Sequence, residues 1–488
     1  MLKPLSLRYA LEFLALLLIA WPSVGLAQPP ISVTNLEDGQ TLRYPVALIR
    51  GELPGVAAAD LTVTNESSQR DTRTLGGIVH KGRFKALAEL VPGRNELVLR
   101  AGECELPLVL NYEPQTNPYI VRIIYHTDSS GETAYQTPLE DDPQDYAAKL
   151  DTAMKLMQTF TAEQMNAAGF GRITFNLELD DDGKVKVHVA KGEHPAEHYY
   201  AMGDVPWFEH LRSALGERFS TDIGMNVIIP AYTRYDPETK KVRGHTALGG
   251  GAQAVFGSGM LYTWPSGLAD VIGAFQDARP IDCSKSLNDT AGRNTFWGAA
   301  ATNIGATLHE LGHALGLFHC RDPLGIMTRG FDCFGRFFTF ADPPSGVNRD
   351  PREFTDEQIA RWAPVSIAAL KPLRWFDLDA KEYKPCDGPR LLMDDASGRM
   401  MIESGHGLRF VGFDRGVTTM RYQAHNGEAE PPNRLEFDYD DLRKTVNGDK
   451  MRVRAIDDQG YIIMSDVQLH DRPTPAAKPD ATQKATAE

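Results

Sequence analysis

The string His309-Glu310-Leu311-Gly312-His313-Ala314-Leu315-Gly316-Leu317-Phe318-His319 constrains this chain more than any other. Four residues of an α-helix turn through about 400° and rise about 6 Å, so His309 and His313 leave one face, one turn apart, and can reach a common ion. Two imidazoles leave a metal under-coordinated, so a third ligand has to come from beyond the helix. Gly316 suits the left-handed backbone conformation that ends a helix and folds the chain back. That return brings His319 to the same point. Three imidazoles leave a fourth position open, as at catalytic rather than structural zinc. Glu310 stands beside the first ligand, where a carboxylate can take a proton from water and pass it to a leaving amine. With 43 Gly and 13 His among 488 residues, the added Gly and His make a chance match roughly 400-fold rarer than the bare HExxH. A buried helix with two hydrogen-bonded histidines would explain neither Glu310 nor the positions of Gly316 and His319.

Met327 follows His319 by eight residues, inside Pro323-Leu324-Gly325-Ile326-Met327. Metzincin peptidases have a tight turn there whose Met forms an apolar floor beneath the zinc, so the pattern appears twice, as zinc motif and as Met-turn. Further strings are Gln158-Thr159-Phe160-Thr161-Ala162-Glu163-Gln164-Met165, Gly169-Phe170-Gly171-Arg172, Gly244-His245-Thr246-Ala247-Leu248-Gly249-Gly250-Gly251 and Arg329-Gly330-Phe331-Asp332. Together these resemble a zinc metallopeptidase family known from fungi and bacteria, within the metzincin-like group, over roughly residues 118–376. The resemblance implies a Zn2+ cofactor held by His309, His313 and His319, with Glu310 catalytic. It implies no substrate.

A chain of this length has room for two to four domains. Its net charge of -14 argues against nucleic acid as a partner, which would require a basic surface. Residues 1–27 read as a secretory signal: Lys3 and Arg8, then the apolar run Phe13 to Trp21, then Gly25-Leu26-Ala27. The run is too short to span a bilayer, so the expected product is exported, periplasmic or extracellular, without stable membrane insertion. An exported chain can form disulfides. Of Cys104, Cys283, Cys320, Cys333 and Cys386, the pair Cys320 and Cys333 flanks the Met-turn, and a bond between them would clip that loop. The odd count leaves at least one thiol unpaired within a monomer.

Short alternating apolar stretches between turn residues across 31–114 predict an immunoglobulin-like β-sandwich. The core, 118–376, alternates strands and helices and reads as α+β. Its elements are a buried strand at Tyr119 to Tyr125, a helix over 144–168 ended by Gly169, a hairpin of Ile173–Leu179 with Val185–Val189, a helix near 206–219 and a strand at Asn226–Pro230. The metzincin resemblance implies an edge strand just before the active-site helix and above the zinc, a role expected of residues 245–256, to which a substrate would add as an extra strand. There Gly249, Gly250 and Gly251 would allow close backbone approach, and His245 would be a candidate transition-state hydrogen-bond donor. A closing helix is expected over 355–370 with Thr355 as N-cap, then a β-rich domain over 377–470 and a disordered tail over 471–488.

The resulting expectation is a multidomain chain whose metzincin-like zinc peptidase core is flanked by an N-terminal immunoglobulin-like β-sandwich and a C-terminal β-rich domain. The expected activity is hydrolysis of peptide or protein substrates with Glu310 as general base. Two other readings stand beside it: a non-catalytic zinc-containing binding or adhesion protein, and a zinc amidase acting on cell-wall or glycan amides. Contact with a cell surface or glycan through the β domains stays open.

Overall fold

The computed structural model describes residues 31–54, 60–385 and 387–471. The expected signal segment, Cys386 and the tail beyond Asp471 lie outside the described residues. The chain is multidomain and β-rich, with hydrophobic side chains gathered into separate clusters.

Eight described strands between Ser32 and Tyr112 pair in the order Ser32–Val33, Val46–Glu52, Arg83–Glu89, Thr74–His80, Leu61–Asn65, Gly93–Ala101, Cys104–Tyr112, Gln40–Leu42. Thr74–His80 serves two ladders: its first residues pair with Leu61–Asn65, and from Gly77 onward it pairs with Arg83–Glu89. The change of partner falls at Gly76-Gly77, where no side chain resists the bend. Tyr44, Ile49, Phe84, Leu99 and Leu110 fill the space between the ladders.

The central sheet is built on Ile120–Thr127. Gly224–Pro230 and Gln253–Phe256 follow in parallel, and Ala247–Gly250 closes the sheet as an antiparallel last strand. Its strands are covered on both faces, so alternate residues enter different cores. Val121, Ile123 and Tyr125 face the long helix Tyr146–Ala167 and the helix Phe296–Ala314, whereas Ile124, Ile228 and Val255 face Trp207, Phe208 and Leu211 of the helix Asp204–Gly216. The expected hairpin at 173–189 is not the main pairing. Asn176–Leu177 and Val187–Lys191 each run parallel to Ile120–Thr127, at successive positions along it, and meet only at a single Leu179–Val185 bridge.

The expected closing helix over 355–370 is broken. Thr355 starts a short 3-10 turn, Asp356–Gln358, and its amide donates to the Gln358 side-chain oxygen at 3.1 Å. The chain then runs extended to Ala363, and a helix starts at Pro364 and ends at Leu370. Proline excludes the helical conformation from the residue before it and fits the first helical position.

The C-terminal unit has a sheet of Arg390–Asp394, Arg399–Glu403 and Arg434–Asp438 and a second of Thr418–Ala424, Leu408–Arg415, Lys450–Asp457 and Ile462–Gln468. A helix, Tyr439–Val446, seals their core with Tyr439, Leu442 and Val446. Among the described residues, no helix is long and apolar enough to cross a membrane.

Candidate metal centre

The helix Phe296–Ala314 begins at Thr295, whose hydroxyl accepts from the Gly298 amide at 3.3 Å. All but one of its residues are buried. It ends as the motif requires. Gly316 has φ +83°, its amide donates to the His313 carbonyl at 3.0 Å, and the Leu317 amide donates to Gly312 at 2.9 Å. This double bond pattern is the αL C-cap that reverses the chain, and it delivers His319 to the helix face.

The three imidazoles meet. Nε2 of His313 lies 3.1 Å from Nε2 of His309 and 3.2 Å from Nε2 of His319. Ligands at zinc–nitrogen distances of about 2.0–2.1 Å in a tetrahedron stand about 3.3–3.4 Å apart, so the spacing fits. The ring tautomers fit as well. Nδ1 of His309 donates to the Ile326 carbonyl at 2.7 Å and Nδ1 of His313 to the Leu317 carbonyl at 2.9 Å. The Nε2 atoms of His309 and His313 are then bare lone pairs, and facing lone pairs repel unless a cation lies between them. Among the described residues these three form the one His/Cys/Asp/Glu group spaced to hold a metal.

Electrostatics favours the ligand form. Burial first, then the neighbouring His313, pushes His309 down to about 3. Burial pushes His313 down to about 4, with the charges of His319 and Arg454 adding to it. His319 is lowered by burial too. All three are neutral near pH 7, as metal ligands have to be. Burial raises the Glu310 carboxyl to about 8. A divalent cation at the imidazoles would favour its ionised form and draw that value back down.

The turn at Ile326 and Met327 does two things for the three imidazoles. Ile326 supplies the carbonyl that orients His309. Met327, fully buried, places its Sδ where a Cβ on Gly312 would collide with it. The turn is tied by backbone bonds from the Ile326 amide to Arg361 and from the Arg361 amide to Leu324, at 2.8 and 3.0 Å. The extended break before Pro364 is therefore one of the segments that hold the turn. Phe331 closes the site from the side, its ring 5.1 Å from that of His309.

The strand Ala247–Gly250 passes directly against the helix. A Cβ on Gly249 would collide with the Glu310 carbonyl oxygen and come within 2.7 Å of the His313 Cβ. Gly250 and Gly251 have another purpose: with Ala252 they take positive φ and form the turn into Gln253–Phe256. The His245 ring packs edge-on to Phe256, and its Nε2 lies 3.8 Å from Asp289.

The expected Cys320–Cys333 bond is absent; both are free thiols. Cys320 Sγ lies 3.1 Å from the Thr328 hydroxyl, and Cys333 Sγ accepts from Arg293 at 3.8 Å. Backbone bonds already close the turn between them, among them Cys320 N–H to the Met327 carbonyl at 3.2 Å.

Sequence reasoning missed the carbonyls of Leu317 and Ile326, the wall formed by Phe331, and the C-terminal hairpin that meets His319. The His319 amide donates to Val417 and its carbonyl accepts from Thr419, both at 2.9 Å. Of these only Phe331 left a trace, within the string Arg329-Gly330-Phe331-Asp332.

A fold presenting three convergent imidazoles on a peptidase-type motif agrees with the comparison to known families. The chain belongs to the family described as "Putative peptidase family", whose model matches residues 30–403. It is 29% identical over 382 residues to a protein of Schizosaccharomyces pombe named "Putative zinc metalloproteinase", covering 73% of this chain and 60% of that one. A Saccharomyces cerevisiae protein of the same description is 26% identical over 347 residues, covering 63% of this chain and 49% of that one. This chain thus spans between half and three-fifths of the length of these relatives. Among solved structures, OgpA of Akkermansia muciniphila, crystallised in catalytically inactive form with an O-glycopeptide substrate, aligns with a TM-score of 0.42 at 17% identity, covering 72% of this chain and 93% of that one.

Proposed function

We propose that this chain is a zinc-dependent metallopeptidase, with a metzincin-like core between an immunoglobulin-like β-sandwich and a β-rich C-terminal domain. Export, read from residues 1–27, goes with the proposal. The observation that carries it is the meeting of three Nε2 atoms, two of them left as lone pairs by Nδ1–H bonds to backbone carbonyls, at the helix that also carries Glu310.

His309, His313 and His319 would hold the ion. When bound, zinc supplies a Lewis acid that lowers the pKa of water to about 7 and polarises a carbonyl. The chain's own residues do the rest. The Glu310 carboxylate takes the proton of the attacking water and returns it to the leaving nitrogen, acting first as base and then as acid. The last strand of the sheet, Ala247–Gly250, offers its outer edge to an extended peptide. The Gly249 contact holds that edge against the turn bearing Glu310 and His313. Met327 and Phe331 back the imidazoles with apolar surface and keep bulk water from that side.

Glu310→Gln tests the reading, with zinc content and peptide-library cleavage measured on the same sample. It should keep the metal and lose about 10²–10⁴-fold in rate. Full cleavage in pure variant protein would remove Glu310 from the mechanism.

A further inference from the structure

We infer that the C-terminal β unit holds the third metal ligand in place, with Arg454 as its positioning residue. The inference rests on the metal reading above and concerns residues beyond the stretch matched by the family model, which ends at 403.

His309 and His313 come from one rigid helix. His319 comes from the four-residue exit, Gly316 to His319, which has little regular structure of its own. That exit is gripped at both ends by a unit about a hundred residues further along the chain. At its start, Arg454 Nη1 donates to the Gly316 carbonyl at 2.8 Å. At its end, His319 is held between Val417 and Thr419 by two main-chain bonds, a parallel bridge to the tip of the Leu408–Arg415 and Thr418–Ala424 hairpin. Between the two, Phe318 lies under the guanidinium, 4.4 Å from its ring centre.

The two grips are one device. The guanidinium that reaches Gly316 also makes a two-pronged bond to Asp414 at 2.7 and 3.0 Å and a bond to the Thr419 hydroxyl at 2.8 Å. Asp414 and Thr419 face each other across the hairpin, just past its bulge. Arg454 therefore ties the hairpin tip that holds His319 to the carbonyl at which the exit begins. The pair is almost wholly buried, with side-chain exposures of 2% for Arg454 and 0% for Asp414. A buried ion pair gives little net stability over apolar packing of the same size. What it supplies here is a fixed position for one loop, with every contact of the guanidinium directed at the exit or the hairpin.

The test is a Co2+ titration followed by visible absorption, with chelator competition for affinity and circular dichroism for fold. It compares wild type, Arg454→Met, Arg454→Lys and Leu442→Ala, the last removing a buried side chain from the helix Tyr439–Val446 of the same unit. Arg454→Met should weaken Co2+ binding about 10–100-fold, the usual effect of losing a residue that orients a ligand, and should alter the four-coordinate absorption band. Arg454→Lys should fall between, because an ammonium cannot reproduce the fork. Leu442→Ala should lower the melting temperature but leave affinity and band unchanged. Wild-type affinity and spectrum in a folded Arg454→Met, or equal weakening by Leu442→Ala, overturns the inference. Failure of wild type to bind Co2+ overturns the metal reading itself. If both Arg454 variants fail to fold, hydrogen exchange on wild type decides. Because coupling is reciprocal, metal should slow exchange at the His319 amide and across Lys450–Asp457 together. Unchanged exchange in that strand on metal binding overturns the inference.

Discussion

Lys85 is the sharpest test of how the N-terminal β strands are joined to the rest of the chain. It lies on Arg83–Glu89, is 3% exposed, and donates from Nζ to the carbonyls of Thr339 and Arg336 at 2.6 and 3.1 Å, just beyond the Met-turn. Its ammonium stands 4.7 Å from the centre of the Phe340 ring. Burial, and next the charge of Arg50, push it from an ordinary 10.5 down to about 7. The unfolded chain keeps this proton up to 10.5 and the folded chain only to about 7, so between those values the unfolded state binds more protons and stability rises with pH. One pH unit in that window is worth about 1.4 kcal/mol. Allowing for half-titration at the lower end, the gain from about pH 7 to about pH 9.5 is about 3 kcal/mol. Lys85→Met removes this slope. It also leaves two carbonyls without their donor, at about 1–3 kcal/mol each, a cost that does not depend on pH. Urea unfolding of both proteins at the two pH values isolates the slope, because other titrations cancel in the difference. Stability of wild type minus variant should rise by about 3 kcal/mol. Parallel curves, within about 0.5 kcal/mol, would mean that the ammonium is not desolvated in this joint.

Gly249→Ala should drive a Cβ into the Glu310 carbonyl and lower stability by about 1–3 kcal/mol, with a matching fall in melting temperature; an unchanged melting temperature would contradict the placement of this strand. Alkylation under denaturing conditions without reductant should label both Cys320 and Cys333, which are free thiols, and recovery of a linked Cys320–Cys333 peptide would contradict that pairing state.

The meeting of the three imidazoles was legible in the sequence because helical geometry fixes the relation of His309 to His313, and Gly316 signals the reversal that brings in His319. What the spacing could not show is contact across long stretches of chain. The grip on His319 from Val417 and Thr419 and the reach of Arg454 to Gly316 connect residues about a hundred or more apart, and no periodicity marks them. The break before Pro364 carried a local signal that the apolar pattern over 355–370 outweighed. The helix Tyr439–Val446 was also marked, by Asp438 capping its start and by Asn447 in the left-handed conformation at its end, within a stretch whose neighbours read as strands. The parallel pairing of Asn176–Leu177 and Val187–Lys191 was hidden by the turn at Asp180 to Gly183, which closes locally like a hairpin while both strands pair with Ile120–Thr127 instead.

The most direct measurement for the central claim is a zinc titration of chelator-treated protein, with peptide-library hydrolysis followed as metal is returned. If the three imidazoles hold one ion that activity requires, hydrolysis starts from nothing, rises in proportion to added zinc and levels off at one equivalent, and His319→Ala shows no such rise. Hydrolysis that persists in chelator, or a chain that takes up zinc at one equivalent and cleaves nothing, would contradict it.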